Sequence, residues 1–262
     1  MEDIEVKAFG IICLQFLRNL SVFRLTLIGG VKPTRIEFLF PYVDKHNPWS
    51  SHSIIAGWLK EAPAGATVLD VGTASGTLGR LCQGKGLQFV GIEPNPEWAE
   101  MARPFYLELF VGSVQSAPDE YFSQAGVIVL ADVLEHLAEP QSVLSGIVSQ
   151  AKVGCLFIVS VPNVANLWDR IRLLFGHFDY TERGILDQTH LRFFTQDTLF
   201  DLLQKSGLRI QRCVVTPVPL DLVNPFFEQK AFGRRLHQAL AQVTRWFPTL
   251  LGYQFVVLAI NE

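Results

Sequence analysis

Apolar segments alternate with segments of helical spacing from residue 53 to the end of the chain. This alternation predicts strands at 67–71, 87–92, 107–111, 126–131, 154–161, near 208–216 and at 253–260. It predicts helices at 53–60, 76–84, 96–102, 140–151 and 195–206, with a helical insert at about 225–247. Because the connections are short, this order indicates an α/β domain with a parallel sheet and right-handed crossovers.

The N-terminal segment has a different pattern. Residues 8–17 and 22–28 are nearly unbroken apolar runs, interrupted by Arg18 and Arg24. Neither run reaches the roughly 18 residues that a membrane-spanning helix requires, and the acidic opening is unlike that of a signal peptide. We expect residues 1–40 to form an apolar helical extension that caps the core of a domain at 41–262. Peripheral membrane contact through residues 8–28 and a poorly structured extension are open alternatives.

Composition narrows the classes of partner and the compartment. The chain has 262 residues, a formal net charge of −3 and a pI near 6.1, so no strongly basic face is indicated and we expect no nucleic-acid partner. The cysteines are scattered without a Cys-x-x-Cys pair or metal spacing, which favours the reducing cytoplasm. They are Cys13, Cys82, Cys155 and Cys213.

A turn of small residues follows the first predicted strand of this domain. The sequence Val68–Gly76 reads VLDVGTASG, an apolar strand that ends in Asp70 and continues into a glycine-containing turn. Small residues allow the backbone to approach a ligand closely at the N-terminus of the next helix. A dinucleotide fingerprint needs Gly-x-Gly-x-x-Gly, whereas this register holds Gly72, Ala74 and Thr77. The glycine spacing therefore argues against an NAD-linked oxidoreductase.

A second carboxylate ends the next predicted strand, about twenty residues beyond the turn. Glu93 follows the apolar segment 87–92 and precedes Pro94, which begins a turn. A carboxylate at this position can accept hydrogen bonds from ribose hydroxyls. Glu93 is therefore the strongest single candidate for binding a nucleoside-containing cofactor, with Pro94 beside it.

These two features resemble the class I S-adenosylmethionine (SAM)-dependent methyltransferases, whose first motif is usually written Asp-x-Gly-x-Gly-x-Gly. Asp70, Gly72 and Gly76 match it, and Ala74 replaces the middle glycine. The resemblance implies SAM as the cofactor, held by this turn with Thr73. It also implies a Rossmann-like fold: a seven-stranded, mostly parallel sheet with an antiparallel last strand between its two predecessors, and helices on both faces.

Two further strand ends extend the resemblance. Many relatives carry, after the third strand, an Asp that contacts the adenine amino group, and Ser113 stands there in this chain. Asp132 and Val133 follow the fourth strand, and in this family the end of that strand lies beside the methyl donor. The resemblance implies that these three residues line the cofactor site.

The segment after the fourth strand raises the question of a metal. Asp132, Glu135 and His136 resemble a Glu-x-x-Glu-His run that binds a divalent cation in ubiquinone-biosynthesis O-methyltransferases, with Asp in place of the first Glu. The Leu-Glu-His sequence is also common in methyltransferases without a metal. We predict no metal ligands here and keep His136 as a second candidate for a catalytic base.

A long excursion separates the fifth strand from the next helix, and excursions of this length are usually binding loops or lids. We call residues 163–194 the lid. Its end resembles a D-x-T-H-x-R-F-F-T signature of bacterial methyltransferases often associated with glycan or lipid-linked modification, and a related pattern occurs in methionine-biosynthesis proteins. Methylation of a hydroxyl needs a base. We predict His190 as that base and Asp187 as its orienting partner, with Asn163, Tyr180 and Arg192 as substrate-binding residues. A histidine that only anchors the loop to backbone is the alternative for His190.

The sequence thus predicts SAM-dependent methyl transfer to a small-molecule acceptor. The leading interpretation is O-methylation of a sugar, lipid or quinone-like compound. The alternative is a non-catalytic SAM-binding regulatory subunit that keeps the same fold. Ala74, Ser113 and the apolar N-terminus leave room for this alternative. The polar lid and four intact motif residues favour the enzyme, namely Asp70, Gly72, Gly76 and Glu93. The pattern predicts neither the acceptor nor the oligomeric state.

Overall fold

A computed structural model of the protein describes residues 47–224 and 226–262. Its strands are β1 Thr67–Val71, β2 Gln88–Glu93, β3 Glu108–Val111, β4 Val127–Ala131, β5 Leu156–Pro162, β6 Leu208–Thr216 and β7 Gln254–Asn261. The first helices are α1 Ser51–Trp58, α2 Thr77–Leu81, α3 Pro96–Ala102, α4 Asp119–Gln124, α5 Pro140–Gln150 and α6 Leu167–Leu174. The remaining helices are α7 Gln196–Lys205, α8 Leu220–Val223, α9 Phe226–Gln229, α10 Ala231–Trp246 and α11 Pro248–Leu251.

The seven strands form one sheet in the order β3-β2-β1-β4-β5-β7-β6. The pairs from β3 to β5 are parallel, and β7 runs antiparallel to both β5 and β6. The sequence-based prediction of a mostly parallel sheet with an antiparallel last strand between its two predecessors is confirmed. Because the order reverses at β1 and β4, a crevice opens at the carboxyl ends of these strands.

Alternating side chains of the strands supply two cores, one on each face of the sheet. Leu69 and Val71 of β1 belong to the core that is covered by α4, α5 and α7. Val68 belongs to the opposite core, which is covered by α1, α2 and α3. Burial on both faces explains why these strands are continuously apolar in the sequence.

Local capping fixes where several helices begin. The side chain of Asn95 accepts hydrogen bonds from the amides of residues 97 and 98, and Pro96 occupies the first turn of α3. Thr195 and Thr198 form reciprocal side chain-to-backbone bonds at the start of α7. The Asn95 cap places the start of α3 directly after the end of β2, at the crevice.

The structure departs from the predicted elements at four places. Helix α2 covers only Thr77–Leu81, because Gly76 before it has a positive φ of 83° and Cys82 leaves the helical conformation. Helices α4 and α6 were not predicted, and α6 lies within the lid. The helical insert predicted at 225–247 is longer and is divided into the four helices α8 to α11.

The predicted N-terminal extension 1–40, the membrane contact at 8–28 and Cys13 lie outside the described residues. Within the described part of the chain, no helix combines the length and apolarity needed to cross a bilayer.

Candidate functional site

A cavity of about 440 Å³ opens at the carboxyl ends of β1, β2 and β4. The predicted cofactor residues that line it are Asp70, Gly72, Thr73, Ala74, Glu93, Pro94, Ser113, Asp132 and Val133. The sequence assigned these nine residues to one site. The fold brings them together from the ends of four separate strands.

The small-residue turn keeps an unusual backbone. Gly72 and Ala74 have φ angles of 76° and 46°, a conformation that costs a residue with a side chain about 1–2 kcal/mol. A Cβ on Gly72 would lie 2.9 Å from Cγ2 of Val133. Glycine at position 72 therefore serves both the backbone conformation and a close approach to the β4 end.

Gly76, the second glycine that the resemblance assigned to the cofactor turn, has a packing role in the structure. It does not line the cavity, and a Cβ on it would lie 2.8 Å from the Cα of Ala102 in α3. Its φ is 83°. The structure therefore places Gly76 as a packing position that lets the start of α2 lie against the end of α3.

Glu93 connects the end of β2 to the turn. Its Oε2 accepts a hydrogen bond from the amide of Ala74 at 2.7 Å, and its Oε1 accepts one from the amide of Asn95 at 2.9 Å. The side chain is almost completely buried, and burial raises the pKa of its carboxyl while the two amide bonds oppose that rise. Each oxygen retains a lone pair that can accept a ligand hydroxyl.

Asp70 lines the cavity and is held by a residue that does not line it. The phenol of Tyr106 donates to its Oδ2 at 2.5 Å. Burial, opposed by this hydrogen bond and aided by the charge of Glu93, raises the pKa of Asp70 to about 7. No sequence pattern pointed to Tyr106, because the two residues are brought together only by the packing of β1 against the segment after α3.

Asp132 is fixed by two residues that the sequence analysis did not single out. Ser160 donates from Oγ to its Oδ1 at 2.8 Å, and the Gln254 amide nitrogen lies 2.9 Å and 3.0 Å from its two oxygens. Asp132 has a positive φ of 57°. Bonds from β5 and β7 therefore hold the β4 end in a conformation that is rare outside glycine.

Ser113 is exposed at the rim of the cavity. Its hydroxyl lies 3.0 Å from that of Ser116. His52 and Trp98 also line the cavity and were not predicted. Trp98 follows from its place in the first turn of α3, so the start of this helix was the signal that could have identified it.

His136 lies at the cavity, at the end of a short helical turn after β4. Its Nδ1 is 3.3 Å from both the carbonyl oxygen and the hydroxyl of Thr189. When Nδ1 donates to that carbonyl, the other ring nitrogen, Nε2, keeps its lone pair. Burial and the neighbouring His190 lower the pKa of His136, which favours the neutral imidazole.

His190 does not line the cavity. Its side chain is buried, its Nδ1 lies 3.0 Å from the carbonyl oxygen of Ile185, and its ring centroid is 4.9 Å from that of His136. Asp187 does not contact the imidazole of His190 by a hydrogen bond; its Oδ1 accepts from the amide and hydroxyl of Thr189 at 2.8 Å and 2.6 Å. The geometry thus connects Asp187 through Thr189 to His136.

Glu135 is a buried carboxylate beside these histidines. Its two side-chain oxygens have no hydrogen-bond partner among the described residues, and burial raises the pKa of its carboxyl well above the usual value. One ligand atom each of Glu135, His136 and His190 lies within 4.8 Å of the others. This donor set fits a divalent ion, although Asp132, the other residue of the matching run, is engaged by Ser160 and Gln254.

The three predicted substrate-binding residues all lie outside the cavity lining. Asn163 is completely buried, and its amide donates to the carbonyls of Gly252 and Thr249 at 2.8 Å and 3.1 Å. Arg192 donates to the carbonyl of Ala138 at 2.9 Å. Tyr180 packs against aromatic neighbours in the lid and is 57% exposed. In this conformation Asn163 and Arg192 position the lid, and Thr189 is its cavity-lining residue.

A family model described as a methyltransferase domain matches residues 47–212. Ubiquinone biosynthesis O-methyltransferase from Xanthomonas axonopodis pv. citri is 35% identical over 107 residues, which cover 38% of this chain and 45% of that protein. The protein of the same description from Shewanella halifaxensis is 27% identical over 152 residues, covering 55% of this chain and 64% of that protein. The alignments therefore span less than two thirds of the length of these relatives.

Solved structures share the fold. A SAM-dependent methyltransferase from Archaeoglobus fulgidus has a TM-score of 0.52 at 16% identity, covering 80% of this chain and 94% of that one. Magnesium protoporphyrin IX methyltransferase from Synechocystis, solved with bound S-adenosylhomocysteine (SAH), has a TM-score of 0.56 at 14% identity, covering 97% of this chain and all (100%) of that one.

Proposed function

This chain belongs to the SAM-dependent methyltransferases, and we propose that it transfers the methyl group to a hydroxyl oxygen of a small, phenol-like acceptor. SAM is the cofactor and supplies an activated methyl sulfonium.

We assign the cofactor to the cavity at the ends of β1, β2 and β4. Glu93 would accept hydrogen bonds from the ribose, and the turn at residues 72–74 would approach the cofactor through its backbone. Ser113, which lines the cavity and is exposed, would lie beside the adenine. Asp132 and Val133 would flank the reacting centre, with Asp132 kept in place by its bonds from β5 and β7.

One observation carries the proposal of oxygen as the acceptor atom: the imidazole of His136 lines the cavity with its Nδ1 directed at Thr189. With Nδ1 donating to the carbonyl, Nε2 can take the proton of an acceptor hydroxyl as the new O–CH₃ bond forms. The S–CH₃ bond breaks in the same displacement, and SAH leaves with the electron pair. His190, predicted from the sequence as the base, lies behind His136, and we propose that it supports the ring of His136.

The lining of the cavity and the names of the relatives favour a quinone-like acceptor over a sugar. Trp98, Val114, Val133 and Leu137 form apolar walls of the cavity. The relatives matched over part of their length are O-methyltransferases of ubiquinone biosynthesis by name. An aromatic ring with a hydroxyl group suits apolar walls beside an imidazole.

The Glu135, His136 and His190 cluster supports a second form of the proposal. A divalent ion held by these side chains would supply Lewis-acid assistance at the acceptor oxygen. In that form His136 binds the metal and does not act as the base.

The test combines cofactor binding with turnover. SAM binding is measured by calorimetry, and SAH release is measured with catechol-type phenols, sugars and simple lipids as acceptors. We expect His136→Ala to reduce turnover with a phenol by about 10²–10⁴-fold while SAM affinity is retained. His177→Ala, a variant of an exposed lid histidine, is the matched control and should retain activity.

Each other outcome leads to a different conclusion. Full activity of His136→Ala would exclude His136 as the base. Loss of turnover on treatment with EDTA, restored by Mg²⁺, would select the metal-dependent form. SAM binding without turnover on any acceptor would favour the regulatory-subunit alternative, and absence of SAM binding would remove the cofactor assignment.

A further inference from the structure

Helix α10 presents large apolar side chains to solvent. Phe232 is 68% exposed and Trp246 is 75% exposed. The positions of the helix that the fold buries are small or polar, namely Gly233, His237, Ala241 and Thr244. A surface helix of a soluble domain normally places its large apolar residues against the core. This helix therefore has an apolar surface that the described part of the fold does not cover.

The exposed apolar residues share one side of the helix. Phe232, Ala239, Val243 and Trp246 are separated by seven, four and three positions. At about 100° per residue these positions fall within an arc of about 60°. We call these four residues the α10 stripe. Phe226 extends the stripe at one end, where its ring packs against that of Phe232 at 6.4 Å.

The helix is held firmly with the stripe outward. A Cβ on Gly233 would lie 2.2 Å from the carbonyl oxygen of Phe226, so the backbone of α10 packs directly on that of α9. The ring of His237 contacts that of Trp49 at 5.2 Å. Rotation of the helix to bury the stripe would break both contacts.

The segment that contains α10 carries formal charges of one sign. Between residues 229 and 253 the chain has no Asp or Glu, although its overall net charge is −3. The basic residues of this segment are Lys230, Arg234, Arg235 and Arg245. A basic helix with exposed Phe and Trp is the composition of helices that lie in the interface of an anionic bilayer.

We propose that the α10 stripe docks on the surface of an anionic lipid bilayer. The aromatic side chains enter the boundary between headgroups and acyl chains, and Arg235, which borders the stripe on the helix surface, meets the anionic headgroups. The other cations of the segment add to its positive potential. A second copy of the chain fits this surface less well, because a two-fold contact would bring Arg235 and the basic segment of one copy close to those of the other.

Both ends of the connection that contains α10 lie on the side of the fold that carries the cavity. The connection that contains α10 leaves β6 at Thr216 and returns to β7 at Gln254. Because β6 is parallel to β5 and β4, the carboxyl end of β6 lies on the same side of the sheet as the carboxyl ends at which the cavity opens. The proposal does not depend on which acceptor is methylated.

Vesicle co-sedimentation of the full chain tests the proposal. We expect binding to vesicles that contain phosphatidylglycerol, weakened by salt, and little binding to pure phosphatidylcholine vesicles. Phe232→Ser/Trp246→Ser should weaken the binding by about tenfold or more, and Lys230→Glu/Arg235→Glu should do the same. The matched controls are Leu107→Ser/Val153→Ser, which also removes exposed apolar side chains, and Lys60→Glu/Lys152→Glu. Both controls should bind like the wild type.

SAM binding and the thermal unfolding curve establish that each variant is folded. Equal binding of the α10 variants and the wild type would place the contact elsewhere, for example in residues 8–28, and overturn the proposal. No binding of the wild type to anionic vesicles would overturn it as well. A change from dimer to monomer in the α10 variants, seen by light scattering without lipid, would assign the stripe to contact between copies.

Discussion

The carboxylate of Glu93 accepts a hydrogen bond from the backbone amide of Ala74 at a distance of 2.7 Å. These two residues lie nineteen positions apart, one at the end of β2 and the other in the turn after β1. The same carboxylate also accepts from the amide of Asn95 at the start of α3. One acidic side chain therefore holds together the three segments that surround the proposed ribose site.

Glu93→Gln should weaken SAM binding by about 10- to 100-fold, because charged hydrogen bonds are replaced by neutral ones and one oxygen is lost. Calorimetry measures the change. Glu97→Gln, at an exposed glutamate four residues further along the chain, is the control and should bind SAM like the wild type. Unchanged affinity of Glu93→Gln would contradict the ribose assignment.

Ala74→Gly should stabilise the fold. Ala74 has a φ of 46°, and glycine removes the cost of that conformation for a residue with a Cβ. Because glycine also loses more entropy on folding, the net gain in the free energy of unfolding is about 0.5–1 kcal/mol. Urea denaturation measures it, and SAM affinity should be retained. A clear loss of stability would show that the Cβ of Ala74 contributes packing that outweighs the backbone cost.

Gly76→Ala should destabilise the fold more than a glycine replacement that alters only backbone conformation. The new Cβ would lie 2.8 Å from Ala102 and would also oppose the positive φ. Gly84→Ala is the matched control, since Gly84 has a φ of 72° with no atom within 4 Å of its Cβ position. We expect about 1 kcal/mol for the control and about 2–4 kcal/mol for Gly76→Ala, measured by denaturant unfolding. Equal costs would mean that α2 and α3 separate without penalty.

Asp70→Asn should change the dependence of stability on pH. The pKa of Asp70 rises from 3.8 to about 7 on folding, so the native state binds the proton more tightly than the unfolded state. Its contribution is therefore fully present below pH 3.8 and is lost as the pH rises through about 7. Asparagine does not titrate. The stability of the variant relative to the wild type should thus rise across this window, by at most about 1.4 kcal/mol per pH unit. Urea unfolding at several pH values checks it, and a difference that does not vary with pH would assign Asp70 an ordinary pKa.

The pattern of apolar and small residues was enough to predict the sheet and the turn of the cofactor site. Strand β1, its acidic end and the turn are contiguous in sequence, and in parallel strands the carboxyl ends meet at one edge. Asp70 and Glu93 could therefore be placed at one site without coordinates. The order of β7 between β5 and β6 followed from the resemblance to the family and is confirmed.

Only the tertiary structure decided which lid residues meet the cavity and what holds the strand ends. The sequence ranked His190 before His136 as the candidate base, whereas the fold buries His190 and exposes His136 to the cavity. The partners Tyr106 of Asp70 and Gln254 of Asp132 are 36 and 122 positions distant from them. The sequence by itself determined the periodic elements and the local turn chemistry, because these depend on near neighbours. The direction of each lid side chain and its long-range partner depend on how separate segments pack, and that information is not carried by local pattern.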